Sequence, residues 1–76
     1  MSSIVYRGWT ITPRTFRIRG SGLWTLDLVI ASRSKRRAFT GAKTFRTEQL
    51  AIRGCHEFGQ RIIDGRVPHC SLEDMR

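Results

Sequence analysis

The sequence predicts an α+β domain in which a three-stranded antiparallel sheet packs on one C-terminal α-helix. Residues 23–31 alternate apolar and polar side chains, as a strand does when one of its faces lies on a core. Residues 48–64 repeat apolar side chains at spacings of three and four, as an amphipathic helix does. Because β-rich segments precede the helical segment, we expect a single domain of β-β-β-α order.

The N-terminal segment is β-rich but interrupted. It contains "IVYRGWTIT", then Pro13, and then Phe16 and Ile18 in alternation with arginines. Proline cannot donate a hydrogen bond to a sheet, so Pro13 fits an edge strand or a bulge better than a central strand. We interpret residues 4–19 as one kinked strand or two short ones, with a turn at residues 20–22 leading into the next strand.

Two further strands follow. In "LWTLDLVIA", Trp24 shares one face with Leu26, Leu28 and Ile30, so we expect this tryptophan in the core and not on a binding surface. The polar segment "SRSKRR" predicts a turn, and "RRAFTGAKTF" predicts the third strand.

The helix has clear start and stop signals. Thr47 is a suitable N-cap, Gly65 a suitable residue after the last turn, and Pro68 prevents any continuation. The face expected to pack on the sheet consists of Ala51, Cys55, Phe58 and Ile62. We therefore predict one domain at residues 1–65 and a flexible C-terminal tail at residues 66–76.

Positive charge is concentrated before the helix. The formal net charge is +8, yet residues 1–46 hold ten basic side chains against one acid, Asp27. Residues 47–76 hold four bases and five acids. Twelve of the fourteen bases are arginine, whose planar guanidinium suits phosphate recognition. This distribution predicts a polyanionic partner.

Three short motifs resemble the DNA-binding domain of plant ethylene-response factors. They are "YRG" at residues 6–8, the second strand led by Trp24, and "TFRTEQLA" at residues 44–51. The N-terminal arm-binding domains of certain tyrosine integrases share that fold. The resemblance spans residues 5–64 in element order, and it implies a sheet that lies in the DNA major groove. The chain is also similar to small uncharacterised bacterial proteins of β-β-β-α layout, which imply no function.

The resemblance implies that Arg7 and Trp9 are sheet-face contacts, whereas the phase of Val5 and Ile11 would place Trp9 in the core. Arg46 carries over only weakly, because the family usually has an acid there, and residues 8–11 lack the family's arginines. The loop at residues 32–37 is more basic than in the family. The complete set of predicted nucleic-acid-binding residues is Arg7, Trp9, Arg17, Arg19, Arg33, Lys35, Arg36, Arg37 and Lys43.

Some of these residues have a structural alternative. Arg17 and Arg19 fit the solvated side of a strand equally well. The Lys35–Arg37 cluster could protect an edge strand against aggregation, although that role does not require ten bases.

The sequence predicts a non-enzyme with neither cofactor nor metal. No serine lies near a recognisable base, and "GSG" at residues 20–22 lacks the strand-loop-helix context and the lysine of a phosphate loop. The adjacent pairs Cys55–His56 and His69–Cys70 are spaced more closely than zinc ligands usually are.

We therefore expect a small basic nucleic-acid-binding module that contacts phosphates through a basic sheet face and the loop at residues 32–37. Double-stranded DNA is the favoured partner, with no membrane and no small-molecule substrate. The N-terminus lacks the apolar segment of a signal peptide, so the expected location is cytoplasmic. The alternative is a protein–protein interaction module, such as a homodimer, whose basic face meets an acidic partner.

Overall fold

The computed structural model describes residues 2–73. In chain order its elements are β1 (Ile4–Tyr6), β2 (Trp9–Pro13), β3 (Trp24–Ala31), β4 (Arg36–Phe45) and α1 (Glu48–Ile63). The strands form one antiparallel sheet in the order β1-β2-β3-β4. The α+β class and the C-terminal helix are confirmed, but the described chain has four strands where three were predicted.

The additional strand arises from a tight turn at Arg7 and Gly8. Both residues have positive φ, 51° and 84°, which is the backbone geometry of a two-residue hairpin turn. Tyr6 therefore pairs directly with Trp9, and β1 folds back on β2. Of the two interpretations of residues 4–19, two short strands is correct, but the second strand ends at Pro13 and does not reach residue 19.

Residues 14–23 form a loop that contains no regular strand, but residues 16–18 turn back and pair with the start of β3, where the Ile18 N–H donates to the Leu23 carbonyl at 2.6 Å. An isolated bridge between Arg17 and Trp24 joins this loop to β3. The Thr25 N–H also donates to the Phe16 carbonyl at 3.0 Å, and the Phe16 N–H donates to Thr25 Oγ1 at 3.1 Å. The predicted pairing across the turn at residues 20–22 is thus present, but it is limited to a single bridge.

The helix packs on one sheet face through small side chains. Thr47 is the N-cap, as predicted, and its Oγ1 accepts from the Leu50 N–H at 3.1 Å. Ala51 and Cys55 are buried as expected, but Gly59 occupies the central contact in place of Phe58, which is half-buried. The core consists of Ile11, Leu26, Leu28, Ile30, Phe39, Ala51, Cys55, Ile62, Ile63 and Leu72.

The segment after the helix differs from the expected flexible tail. Leu72 is only 2% exposed and belongs to the core, and Val67 and Cys70 pack against the same cluster. Apolar contact thus fixes the chain as far as Glu73. Residues 74–76, which belong to the predicted tail, lie outside the described residues.

Within residues 2–73, no helix has the length and apolar character needed to cross a membrane.

Candidate nucleic-acid interface

The sheet face that lies away from α1, here called the outer face, carries mostly small side chains. Its cross-strand rows are Thr10–Ala31–Arg36, Thr12–Val29–Ala38 and Asp27–Thr40. Apart from Asp27 and Arg36, no side chain in these rows is larger than valine or threonine. A large partner could therefore approach the backbone of the central strands closely.

Two arginines lie at opposite ends of the outer face. The Arg14 N–H donates to the Asp27 carbonyl at 2.7 Å, so Arg14 continues the alternation of Thr10 and Thr12. Arg36 pairs with Ala31 at the other end, and both arginines are exposed. Since Asp27 and Ala31 are four residues apart on β3, the two arginines are separated by about 13 Å along the strand direction. The major groove of B-DNA is about 12 Å wide.

A shallow groove lies between these arginines. Its volume is about 420 Å³, and Arg14, Phe16, Asp27, Val29, Arg36 and Ala38 are among its lining residues. We call it the outer groove. Phe16 comes from the loop at residues 14–23 and is 58% exposed, so an apolar ring is available at the margin of a cationic surface.

Asp27 lies on the outer face beside Arg14 and is held there by hydrogen bonds. Thr40 Oγ1 on β4 donates to Asp27 Oδ1 at 2.6 Å. On the other side of the sheet, Cys55 Sγ donates to the Asp27 carbonyl at 3.1 Å, and burial raises the pKa of this thiol. The backbone and the side chain of Asp27 are thus both fixed by hydrogen bonds.

A second group of cations lies at the end of the sheet that contains the β1–β2 and β3–β4 turns, here called the hairpin end. Because Thr10 pairs with Ala31, the two turns lie side by side. Arg33, Lys35 and Arg36 are exposed there. The hairpin is closed by the Ser32 N–H, which donates to the Lys35 carbonyl at 2.8 Å.

Arg37 differs from its neighbours in this cluster. It is half-buried, and its Nη1 donates to the Ser71 carbonyl at 3.2 Å. Because Arg37 pairs with Ile30, its side chain starts from the helix side of the sheet and not from the outer face. We therefore assign Arg37 a structural contact, whereas Arg33 and Arg36 are exposed at the hairpin.

The two residues implied by the family resemblance do not lie on the outer face. Arg7 Nε is 3.3 Å from Asp64 Oδ1, and the Tyr6 hydroxyl donates to Asp64 Oδ2 at 2.8 Å. The pKa of Arg7 is raised, first by Tyr6 and then by Asp64. Trp9 packs against the core on the helix side. The departure arises because the hairpin turn directs Arg7 toward the end of α1.

The remaining predicted residues lie at the opposite end of the sheet from the hairpins. Arg17 and Arg19 belong to the loop at residues 14–23 and are exposed. Lys43 lies on the helix side, with its Nζ 5.5 Å from the centroid of the Phe45 ring. The sequence predicted a sheet face covered with basic side chains. In the structure, the outer face has small side chains at its centre and cations at its two ends.

Sequence reasoning missed Arg14 and Phe16 as parts of the candidate surface. The signal for Arg14 was present, because it follows Thr10 and Thr12 at a period of two. Phe16 was assigned to a core strand on the same type of pattern. Its exposure depends on the loop at residues 14–23, which alternation alone does not predict.

Within residues 2–73, no three His, Cys, Asp or Glu side chains come together as a metal site would require. No family model, curated protein or solved structure matches this chain significantly. The fold and the surface define a class, a small α+β domain with one sheet face uncovered by its helix.

Proposed function

We propose that this protein is a small nucleic-acid-binding module whose favoured partner is double-stranded DNA. The observation that carries the proposal is the placement of Arg14 and Arg36 at the two ends of an outer face made of small side chains. Such a face can enter a major groove while its terminal arginines bind phosphates on either side. Arg33 and Lys35 extend the cationic surface beyond one end.

Electrostatics supplies the affinity in this proposal. Each phosphate that a cation neutralises releases condensed counterions, and this term dominates non-specific binding to DNA. Duplex DNA is favoured over duplex RNA because the major groove of A-form RNA is too deep and narrow for a sheet. Contacts to phosphates also fix the register and the orientation of the protein on the duplex.

Three double variants test this proposal by their affinity for a short random-sequence duplex at low salt. R14Q/R36Q removes the outer-face arginines, and R33Q/K35Q removes cations of the hairpin end. R53Q/R61Q is the matched control, since both residues are exposed on the helix. We expect the first two variants to weaken binding clearly more than the control. Equal losses from all three would indicate a diffuse charge effect and contradict a defined surface.

The alternative proposal, a protein–protein interaction module, is favoured by one observation. Strand β4 is ten residues long and lies at the edge of the sheet, where an extended peptide could pair with it. Its cations, Arg36, Arg37 and Lys43, favour an acidic peptide over a second copy, because two β4 strands would bring like charges together. Binding to polyglutamate without binding to duplex would support this alternative.

A further inference from the structure

The single acid of the basic half lies on the candidate surface, level with Arg14 at the end of the neighbouring strand. Asp27 is the only acidic residue among residues 1–46, and it lines the outer groove together with Arg14 and Arg36. A carboxylate there repels phosphate and so lowers the general affinity that the surrounding arginines supply. Its cross-strand hydrogen bond to Thr40 does not require a charge, because paired hydroxyl side chains stabilise sheets in the same way.

The geometry makes the carboxylate available to a ligand. Thr40 Oγ1 holds Oδ1 at 2.6 Å, which fixes the side chain. An ionised carboxylate has about four acceptor positions, so this bond leaves most of its capacity unused. Asp27 also shares the outer groove with two apolar side chains, Phe16 and Val29, which would reduce the access of water to a bound base edge.

The chemistry of the major groove identifies the matching group. Cytosine presents its N4 amino donor there, and beside it a C–H at position 5. Adenine also presents an amino donor, but that donor lies between two acceptors, adenine N7 and thymine O4. Those acceptors would repel a carboxylate. Guanine and thymine present acceptors only.

We propose that Asp27 is a base-reading residue that accepts a hydrogen bond from the N4 amino group of a cytosine in duplex DNA. The inference rests on the proposed function and adds to it a sequence preference. Arg14 and Arg36 position the duplex, Asp27 selects the base, and Thr40 orients the carboxylate. Phe16 and Val29 provide an apolar surface for the carbon atoms at position 5 of the pyrimidines.

The test is selection from a randomised duplex library at low salt, with sequencing of the bound fraction. The parent should enrich cytosine at one position by about fivefold or more, the lower end expected of a base contact. D27N should shift that position toward adenine, because an amide matches adenine N6 and N7. E57Q, which removes one negative charge from the exposed side of α1, is the control and should retain the parent's preference.

A second measurement uses the parent protein alone, so it does not depend on the folding of D27N. N4-methylcytosine at the selected position replaces the hydrogen that Asp27 would accept, and it should abolish the preference. Identical preferences in the parent and D27N, or no effect of the methyl group, would overturn this inference and leave the proposed function standing. Failure of the parent to bind any duplex would overturn the proposed function itself.

Discussion

Arg37 Nη1 donates a hydrogen bond to the carbonyl of Ser71 at 3.2 Å, and this bond joins the start of β4 to the segment that follows the helix. Arg37, which was predicted from the sequence to bind phosphate, therefore holds the segment after α1 against the sheet. R37Q should weaken that attachment, whereas R36Q should not, because Arg36 starts from the outer face. Faster amide hydrogen exchange at residues 70–73 in R37Q only is the expected result. Equal exchange in both variants would contradict the structural assignment of Arg37.

Leu72 should contribute to stability as a core residue. It is 2% exposed, and truncation of a buried leucine to alanine typically costs about 2–5 kcal/mol. L72A should lower the free energy of unfolding by an amount in this range, measured by urea denaturation. S71A, which changes the exposed neighbour and leaves the backbone carbonyl in place, is the control. If L72A were as stable as S71A, the segment after α1 would contribute no packing.

Gly59 should resist a substitution that normally stabilises a helix. Alanine is favoured over glycine in a helix by about 1 kcal/mol. A Cβ at Gly59, however, would lie 2.7 Å from Ile11 Cγ2, and Ile11 is fully buried. Because overpacking typically costs about 1–3 kcal/mol, G59A should lower the free energy of unfolding and the melting temperature.

G54A is the matched comparison for G59A. A Cβ at Gly54 would meet the ring of Phe45, which is half-buried and can move toward solvent. We therefore expect G54A to cost less than G59A in the same denaturation experiment. A larger loss from G54A would mean that the contact between Gly59 and Ile11 does not set the distance between helix and sheet.

The two cysteines should react at very different rates. Cys55 is 0% exposed and burial raises its pKa, so its thiol stays protonated and inaccessible in the folded protein. Cys70 is half-buried, so part of its side chain remains accessible to solvent. At pH 8 an aromatic disulfide reagent should modify Cys70 rapidly, and it should modify Cys55 only as the protein unfolds. Rapid modification in C70S, which retains Cys55 alone, would contradict the described burial.

The same pKa shift predicts a loss of stability at high pH. The unfolded chain ionises its thiol near its ordinary pKa of about 8.5, whereas the folded state resists ionisation until a higher pH. The free energy of unfolding is therefore unaffected by this thiol below the pKa of the unfolded chain, and it decreases as the pH rises from there toward the higher pKa of the folded state. The loss should be smaller in C55A, measured as the free energy of unfolding between pH 7 and pH 10.

The sequence predicted the helix well because its signals are local. Thr47, Gly65 and Pro68 define the ends through side-chain and backbone chemistry that depends on few neighbours. The prediction of the helix face that contacts the sheet was less accurate, because a helical wheel ranks Phe58 above Gly59 by hydrophobicity. The close approach to Ile11 is a tertiary property that the wheel does not contain.

The sheet was harder to predict because alternation identifies a strand but not its partner. "YRGW" gives a two-residue turn with an arginine at positive φ, which is uncommon and lacks the usual Asn-Gly or Asp-Gly signal. Once that turn was missed, Trp9 and Arg7 could not be placed on the correct face. The exposure of Phe16 depends in the same way on a loop whose path is set by bonds to Thr25.

The salt dependence of duplex binding tests the central claim most directly. Log K for a short random-sequence duplex should fall linearly with log salt concentration in the parent, with a slope of roughly 0.9 for each phosphate contacted. R14Q/R36Q should reduce the magnitude of that slope by about 1.8, since two contacts are lost, while R53Q/R61Q should leave it almost unchanged. Absence of binding by the parent at low salt, or the same slope in R14Q/R36Q as in the parent, would contradict a DNA-binding role for the outer face.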